Sequence, residues 1–240
     1  VAVPTTAGTG SEVGRASVIT NSQTHEKKII FHPKMLPAVV ICDPELTVGM
    51  PPMITAGTGM DAFAHCLEAF CSPHYHPMSQ GMALEGMRLV KEYLPRAYAD
   101  GSDLEARGHM MSAAAMGATA FQKGAIHAMS HPIGAVHHTH HGTTNAVVMQ
   151  PVLRMNRPAI EERLAKAAAY LDIVGGSDGF YDFVGKLNEE LNIPSSLTAL
   201  GVTDPDIDAL VASALQDPSC GGNPIELNKE NVTQLLRDCF

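Results

Sequence analysis

Gly57-Thr58-Gly59-Met60-Asp61-Ala62-Phe63-Ala64-His65 is the stretch on which the reading of this chain turns. On a helix, Asp61 and His65 stand four residues apart on one face, about one turn from each other, so both can grip a single cation. Phe63 and Leu67 fall on the other face and read as core. His127 and His131 repeat the spacing in Gly124-Ala125-Ile126-His127-Ala128-Met129-Ser130-His131-Pro132, where Pro132 is expected to end or kink the helix and leave His131 at a turn. His140-His141-Gly142 then opens the next apolar helix. A lone histidine, or one D-x-x-x-H pair, is more often an ordinary core or surface feature. Two such pairs followed by a third histidine cluster read as a metal site. A carboxylate with imidazoles suits a borderline divalent ion: Fe(II), Zn(II) or Mn(II).

Outward from this stretch, residues 1–50 are strand-like. Val1–Val3, Ala16–Thr20, Lys28–Phe31 and Ala38–Cys42 are β-prone runs, with a turn at Asn21-Ser22 and a stop at Asp43-Pro44. Pro51-Pro52 suits a helix start, and helical signals dominate from there. Ala83, Met87, Val90 and Leu94 recur along one helical face. Ser102-Asp103-Leu104-Glu105 reads as a capping box, and Thr203-Asp204-Pro205-Asp206 as a second helix opening. Residues 159–172, 176–192 and 228–238 also read as helices. The expected architecture is an α/β remnant over residues 1–50 joined to a mostly all-α domain over residues 51–240.

Acidic groups outnumber basic ones, 25 to 16, for a net charge of −9, and no Lys/Arg cluster interrupts this. Such a surface repels phosphate backbones, so nucleic acid is excluded as an expected partner. No apolar run approaches the roughly 18 residues of a membrane span, and no signal peptide is recognisable. The five cysteines are an odd set without CxxC spacing, which argues against a disulfide framework or a thiolate zinc site and for a cytoplasmic setting. The 13 methionines fall mostly at helical spacing and read as core. Among the 12 histidines, His74 and His76 in a Pro-flanked loop, with the isolated His25, His32 and His109, read as solvated bystanders. The opening Val1-Ala2-Val3-Pro4, without an initiator Met, reads like the interior of a longer protein. Pro4-Thr5-Thr6-Ala7-Gly8-Thr9-Gly10-Ser11-Glu12-Val13 follows it, and its small residues would let backbone N–H groups and hydroxyls approach a phosphate or ribose. Alone it is a weak signal, and it is not a GxGxxG fingerprint.

Taken together, Pro4–Val13, Gly57–His65, the His-x3-His-Pro-x-Gly run ending in His141-Gly142, and Asp217-Pro-Ser-Cys-Gly-Gly-Asn-Pro224 resemble the iron-containing (group III) alcohol dehydrogenases over essentially the whole chain. The resemblance implies Asp61, His65, His127 and His141 as metal ligands. The adjacent His140 is the competing candidate, and the His-Gly step favours His141. It further implies His131 as a residue near the substrate that handles or positions a proton. Thr5, Thr6, Thr9 and Lys28 would contact NAD or NADP, and Leu46 would line the nicotinamide pocket. The runs His137, His138 and His140 depart from relatives, which commonly carry other residues there.

The implied activity is hydride transfer between a small or primary alcohol/aldehyde pair and the nicotinamide, with Fe(2+), or else Zn(2+) or Mn(2+), polarising the alcohol oxygen. A homo-oligomer with a small-molecule substrate is expected. Family members also carry an N-terminal α/β domain with a Gly-rich pyrophosphate loop. That domain is not in this sequence, so the chain alone is expected to bind dinucleotide poorly. The rivals are a metal-independent maleylacetate reductase, against which Asp61 argues; a glycerol dehydrogenase-like zinc enzyme; and a non-catalytic metal-binding helical protein, against which the Thr5–Val13 loop argues.

Overall fold

The computed structural model describes residues 1–20, 27–203 and 205–240. Its two strands, β1 (Ala16–Thr20) and β2 (Lys27–Phe31), pair antiparallel with Ala16 opposite Phe31. The expected runs at Val1–Val3 and Ala38–Cys42 shrink to a single parallel bridge, Ala2 to Val40, held by Ala2 N–H to Val39 O and Ile41 N–H to Ala2 O. One bridge orders too few backbone groups to extend into a sheet. The Asn21-Ser22 turn, His25 and Asp204 lie outside the described residues.

Among the described residues eight α-helices follow: α1 (Pro52–Cys71), α2 (Pro77–Ala99), α3 (Leu104–Ala120), α4 (Ala125–His137), α5 (His141–Tyr170), α6 (Gly176–Glu190), α7 (Ile207–Leu215) and α8 (Lys229–Asp238). The mostly helical architecture expected from residue 51 onward is thus the one adopted. α1 is the axis of the molecule. Every residue from Thr55 to Cys71 is buried, as suits a helix that is apolar or small on all sides. It packs on α2, α3 and α5. Phe63 meets Phe180 and Phe183 of α6 at centroid distances of 6.3 and 6.0 Å. Where α1 crosses α5, Gly142 lies so close to the Gly57 carbonyl that a Cβ there would collide with it. That approach brings the start of α5 onto the face of α1 that carries Asp61 and His65. Arg107 of α3 is buried and bonds Thr55 Oγ1 at 2.8 Å and Gly101 O at 3.0 Å, tying the α2–α3 turn to the first turn of α1. On α2 the predicted face of Ala83, Met87, Val90 and Leu94 is buried.

Four local expectations are corrected. The cap of α3 is Asp103, which accepts from Ala106 N–H at 3.0 Å, while Ser102 is taken up by Asp100. The reason is that an aspartate one residue later offers a stronger anionic acceptor to the same orphan N–H groups. The α7 cap is Asp206, accepting from Ala209 N–H. Pro132 neither ends nor breaks its helix: α4 runs on to His137. Pro132 and Ile133 are both buried, and α4 packs on α5 and α7, so packing on both sides of the proline outweighs one lost backbone bond. The helix expected from residue 159 is the last part of a 30-residue α5 that continues through Pro151 and Pro158.

Candidate metal centre

The centre is assembled from three helices. Asp61 and His65 lie a turn apart on α1, His127 comes from the first turn of α4, and His141 is the first residue of α5. Their donor atoms converge. Asp61 Oδ1 lies 3.6 Å from His65 Nε2, 3.6 Å from His127 Nε2 and 3.5 Å from His141 Nε2. Two donors sharing one ion through bonds of about 2.0–2.2 Å stand roughly 3.3–3.6 Å apart in a tetrahedral set, so these spacings fit a divalent metal. A second observation agrees. His127 Nε2 is fully buried with no hydrogen-bond partner, a cost that a bound cation would remove. His140 takes a different part: its Nδ1 accepts from Thr143 N–H and caps α5, leaving His141 as the residue beside Asp61.

Burial is uneven. Asp61, His65 and His127 are closed off, whereas the side chains of His141 and His131 keep 36% and 27% of their surface. The centre therefore opens on the His131–His141 side, where the two rings stack 5.3 Å apart. Burial alone would raise the Asp61 pKa, but the surrounding imidazoles, His65 first, hold it well below the usual carboxylate range. Burial drives His65 well below its ordinary value and His141 to about 3. At neutral pH these rings are neutral donors facing one carboxylate. At His127, burial and Lys123 push downward, but Glu68 and Asp61 outweigh them and its pKa is raised.

Three residues absent from the sequence-based set complete the surroundings. Glu68, one turn beyond His65, is buried, meets His127 Nδ1 at 2.5 Å and accepts from Ile126 N–H at 2.7 Å. Its place three residues after His65, on the face of Asp61, was the signal that could have found it. Asn145 donates to Asp61 Oδ1 at 2.8 Å, and its spacing of four from His141 repeats the ligand-pair pattern. Asp217 accepts from His131 Nδ1 at 2.6 Å across 86 residues of sequence, which no spacing reveals. Burial raises and His131 lowers the Asp217 pKa, for a net fall to about 2. At His131 burial prevails over Asp217 and lowers the pKa. The pair is thus a carboxylate and a neutral imidazole.

The predicted dinucleotide residues lie elsewhere on the same frame. In the Pro4–Val13 loop Thr5 and Thr9 are exposed and Thr6 is half-buried. Thr9 Oγ1 accepts from Ser11 N–H at 3.3 Å. Gly8 seats directly on Thr58 of α1, three residues before Asp61, with no room for a Cβ. Leu46 is exposed in a 3₁₀ turn, Pro44–Thr47. The Lys28 backbone pairs with Ile19 in the hairpin, and its side chain lies outside the described residues. Among the described residues no hydrogen bond joins these positions to the Asp61, His65, His127 and His141 side chains. Of the histidines read as bystanders, His32 caps a short 3₁₀ turn, His109 stacks on Tyr93, and the exposed His74 faces Gly221 O.

Residues 55–240 match the C-terminal region of the Fe-containing alcohol dehydrogenase family, and residues 1–44 match the iron-containing alcohol dehydrogenase description. The chain belongs to the iron-containing alcohol dehydrogenase family. It is 41% identical, over 98% of its length, to a 4-hydroxybutyrate dehydrogenase of Cupriavidus necator. Over its full length it is 35% identical to an NAD-dependent methanol dehydrogenase of Bacillus methanolicus. It spans 64% and 66% of those two relatives. Among solved structures, a 1,3-propanediol oxidoreductase superposes with a TM-score of 0.95 at 35% identity, over 99% of this chain and 65% of that one. For an iron-containing alcohol dehydrogenase chain, a cluster of one carboxylate and three imidazoles is chemically in keeping with the family's description.

Proposed function

We propose that this chain supplies the metal-binding, catalytic part of an oxidoreductase that moves hydride between a small or primary alcohol/aldehyde pair and a nicotinamide dinucleotide. Three imidazole Nε2 atoms around the buried Asp61 oxygen carry this reading. Asp61, His65, His127 and His141 would hold the ion, Fe(2+) first and Zn(2+) or Mn(2+) as alternatives. When bound, the ion polarises the alcohol oxygen and lowers its pKa. Asp61 brings the single negative charge and Asn145 fixes its oxygen. His131 lines the open side, with Nδ1–H committed to Asp217 and Nε2 left to pass a proton to or from the substrate oxygen. The buried walls at His65 and His127 keep water from the closed side.

Residues 1–50, with Thr5, Thr6, Thr9, Lys28 and Leu46, would belong to the dinucleotide-binding part, and residues 51–240 form the metal-binding part. NAD is favoured by the description of the methanol dehydrogenase relative. A cytoplasmic homo-oligomer is the proposed state; among the described residues no helix is long and apolar enough to cross a membrane. A metal-independent reductase would have no use for an anionic carboxylate buried among three imidazoles. The test is metal analysis of the whole protein beside an alcohol panel with NAD and NADP, before and after chelation. Stoichiometric metal and chelator-sensitive, alcohol-dependent cofactor reduction are expected. Full turnover in metal-free protein sinks the reading.

A further inference from the structure

We propose that Glu68 is a positioning residue that sets the tautomer of His127, keeping the ring proton on Nδ1 so that the Nε2 lone pair faces the centre of the ligand cluster. The inference rests on the metal-centre reading above and adds a residue to it. Asp61, His65 and Glu68 follow one another along one face of α1, so one helix carries two candidate ligands and, a turn further on, a carboxylate that reaches a third. Both Glu68 oxygens are engaged. One accepts from Ile126 N–H at 2.7 Å, in the first turn of α4, and the other lies 2.5 Å from His127 Nδ1.

An ionised carboxylate can only accept, so Nδ1 must be the donor, and a neutral ring then has its lone pair on Nε2. That atom is buried, has no partner, and lies 3.6 Å from Asp61 Oδ1. The Ile126 contact makes the device rigid. Gly124, the residue before α4, offers no side-chain cap, and Glu68 fills that role from a neighbouring helix. Carboxylates that hold a ligating imidazole in this way orient the ring and raise its basicity, and losing one typically costs 10–100-fold in metal affinity.

Glu68→Gln separates this role from simple capping. The amide has the same shape, and the fixed donor Ile126 N–H takes its single oxygen. The NH₂ group is then turned on His127 Nδ1, which must become the acceptor, so the ring proton moves to Nε2, the atom needed by the metal. Long-range ¹H–¹⁵N correlation spectra of metal-free wild-type protein, taken at a pH where the ring is neutral, are expected to show His127 protonated on Nδ1, and those of E68Q to show it on Nε2. Co²⁺ titration, followed by the absorption of the bound ion, is expected to give a dissociation constant 10–100-fold weaker in E68Q, with the metal-free melting temperature near wild type. A wild-type ring protonated on Nε2 overturns the proposal without reference to any variant or metal. Equal Co²⁺ affinity in the two proteins also overturns it and leaves the ligand set standing. Failure of wild type to bind Co²⁺ removes the ligand set itself, and Glu68's role with it.

Discussion

At Asp61 the chemistry is concentrated in one carboxylate: it is the only anion among the four candidate ligands and sits 3.5–3.6 Å from three imidazole nitrogens. Asp61→Ala should therefore weaken metal binding by roughly 10²–10³-fold, the equivalent of removing one partner from a buried ion pair. The helix loses little, since alanine is its best former. Metal-free Asp61→Ala should nonetheless melt below metal-free wild type, because the buried carboxylate's contacts with the imidazoles and with Asn145 are lost, and metal retained at full stoichiometry would remove Asp61 from the ligand set. His131 makes the opposite prediction. Its Nδ1 is bonded to Asp217 and its ring stacks on His141, so His131→Ala should lower turnover of the whole protein by about 10²–10⁴-fold while metal content stays near one per chain. Stoichiometric metal loss in that variant would make His131 a ligand instead. The Asp61, His65, His127 and His131 set was legible as two pairs spaced by four. Asp217 was not, because its partner lies 86 residues away.

α1 and α5 define the centre because they approach closely at two glycines. His141 meets Asp61 only because Gly142 lets α5 descend onto the Gly57 carbonyl. A methyl group at Gly142 would force the helices apart. Gly→Ala contributes at most about 1 kcal/mol of helix propensity, and less at a first turn, whereas overpacking costs about 1–3 kcal/mol; the clash wins. Gly142→Ala should lower the denaturation midpoint and weaken metal binding together, because the same displacement pulls His141 from Asp61. Unchanged metal affinity in a destabilised Gly142→Ala protein would show that this approach does not set the site. At the element scale the sequence was a good guide to helices with clear apolar faces, such as α2. It misjudged α4, where the intrinsic cost of Pro132 was read without the packing on α5 and α7 that offsets it.

Across the whole molecule, metal binding should couple to folding, since the four donors come together only when α1, α4 and α5 are packed. An ion at 100 times its dissociation constant adds about 2.7 kcal/mol, or about 5–10 °C in melting temperature for a chain this size. Chelation should reverse that increment, and a melting temperature indifferent to metal would contradict the coupling. Acid should act in the same sense. His141 is held at about 3 and His65 well below its ordinary value, while Asp61 and Asp217 are also lowered. All four bind protons more readily unfolded than folded, so stability falls as pH drops from about 6.5 toward 3. The raised His127 and the raised, buried Glu12 oppose this. Urea midpoints of metal-free protein that rise on acidification over that window would refute the assignment.

The amino-acid sequence by itself determined which helices form and which residue types can bind a cation, because both follow from periodicity and local chemistry along the chain. It also carried motifs enough to point to the family. The tertiary structure alone decided that His141 faces Asp61 while its neighbour His140 caps a helix. It decided that Glu68 reaches His127 and that Asp217 reaches His131. These contacts depend on where three helices cross, and helix crossings are set by side-chain packing between segments far apart in the chain, which no local spacing records.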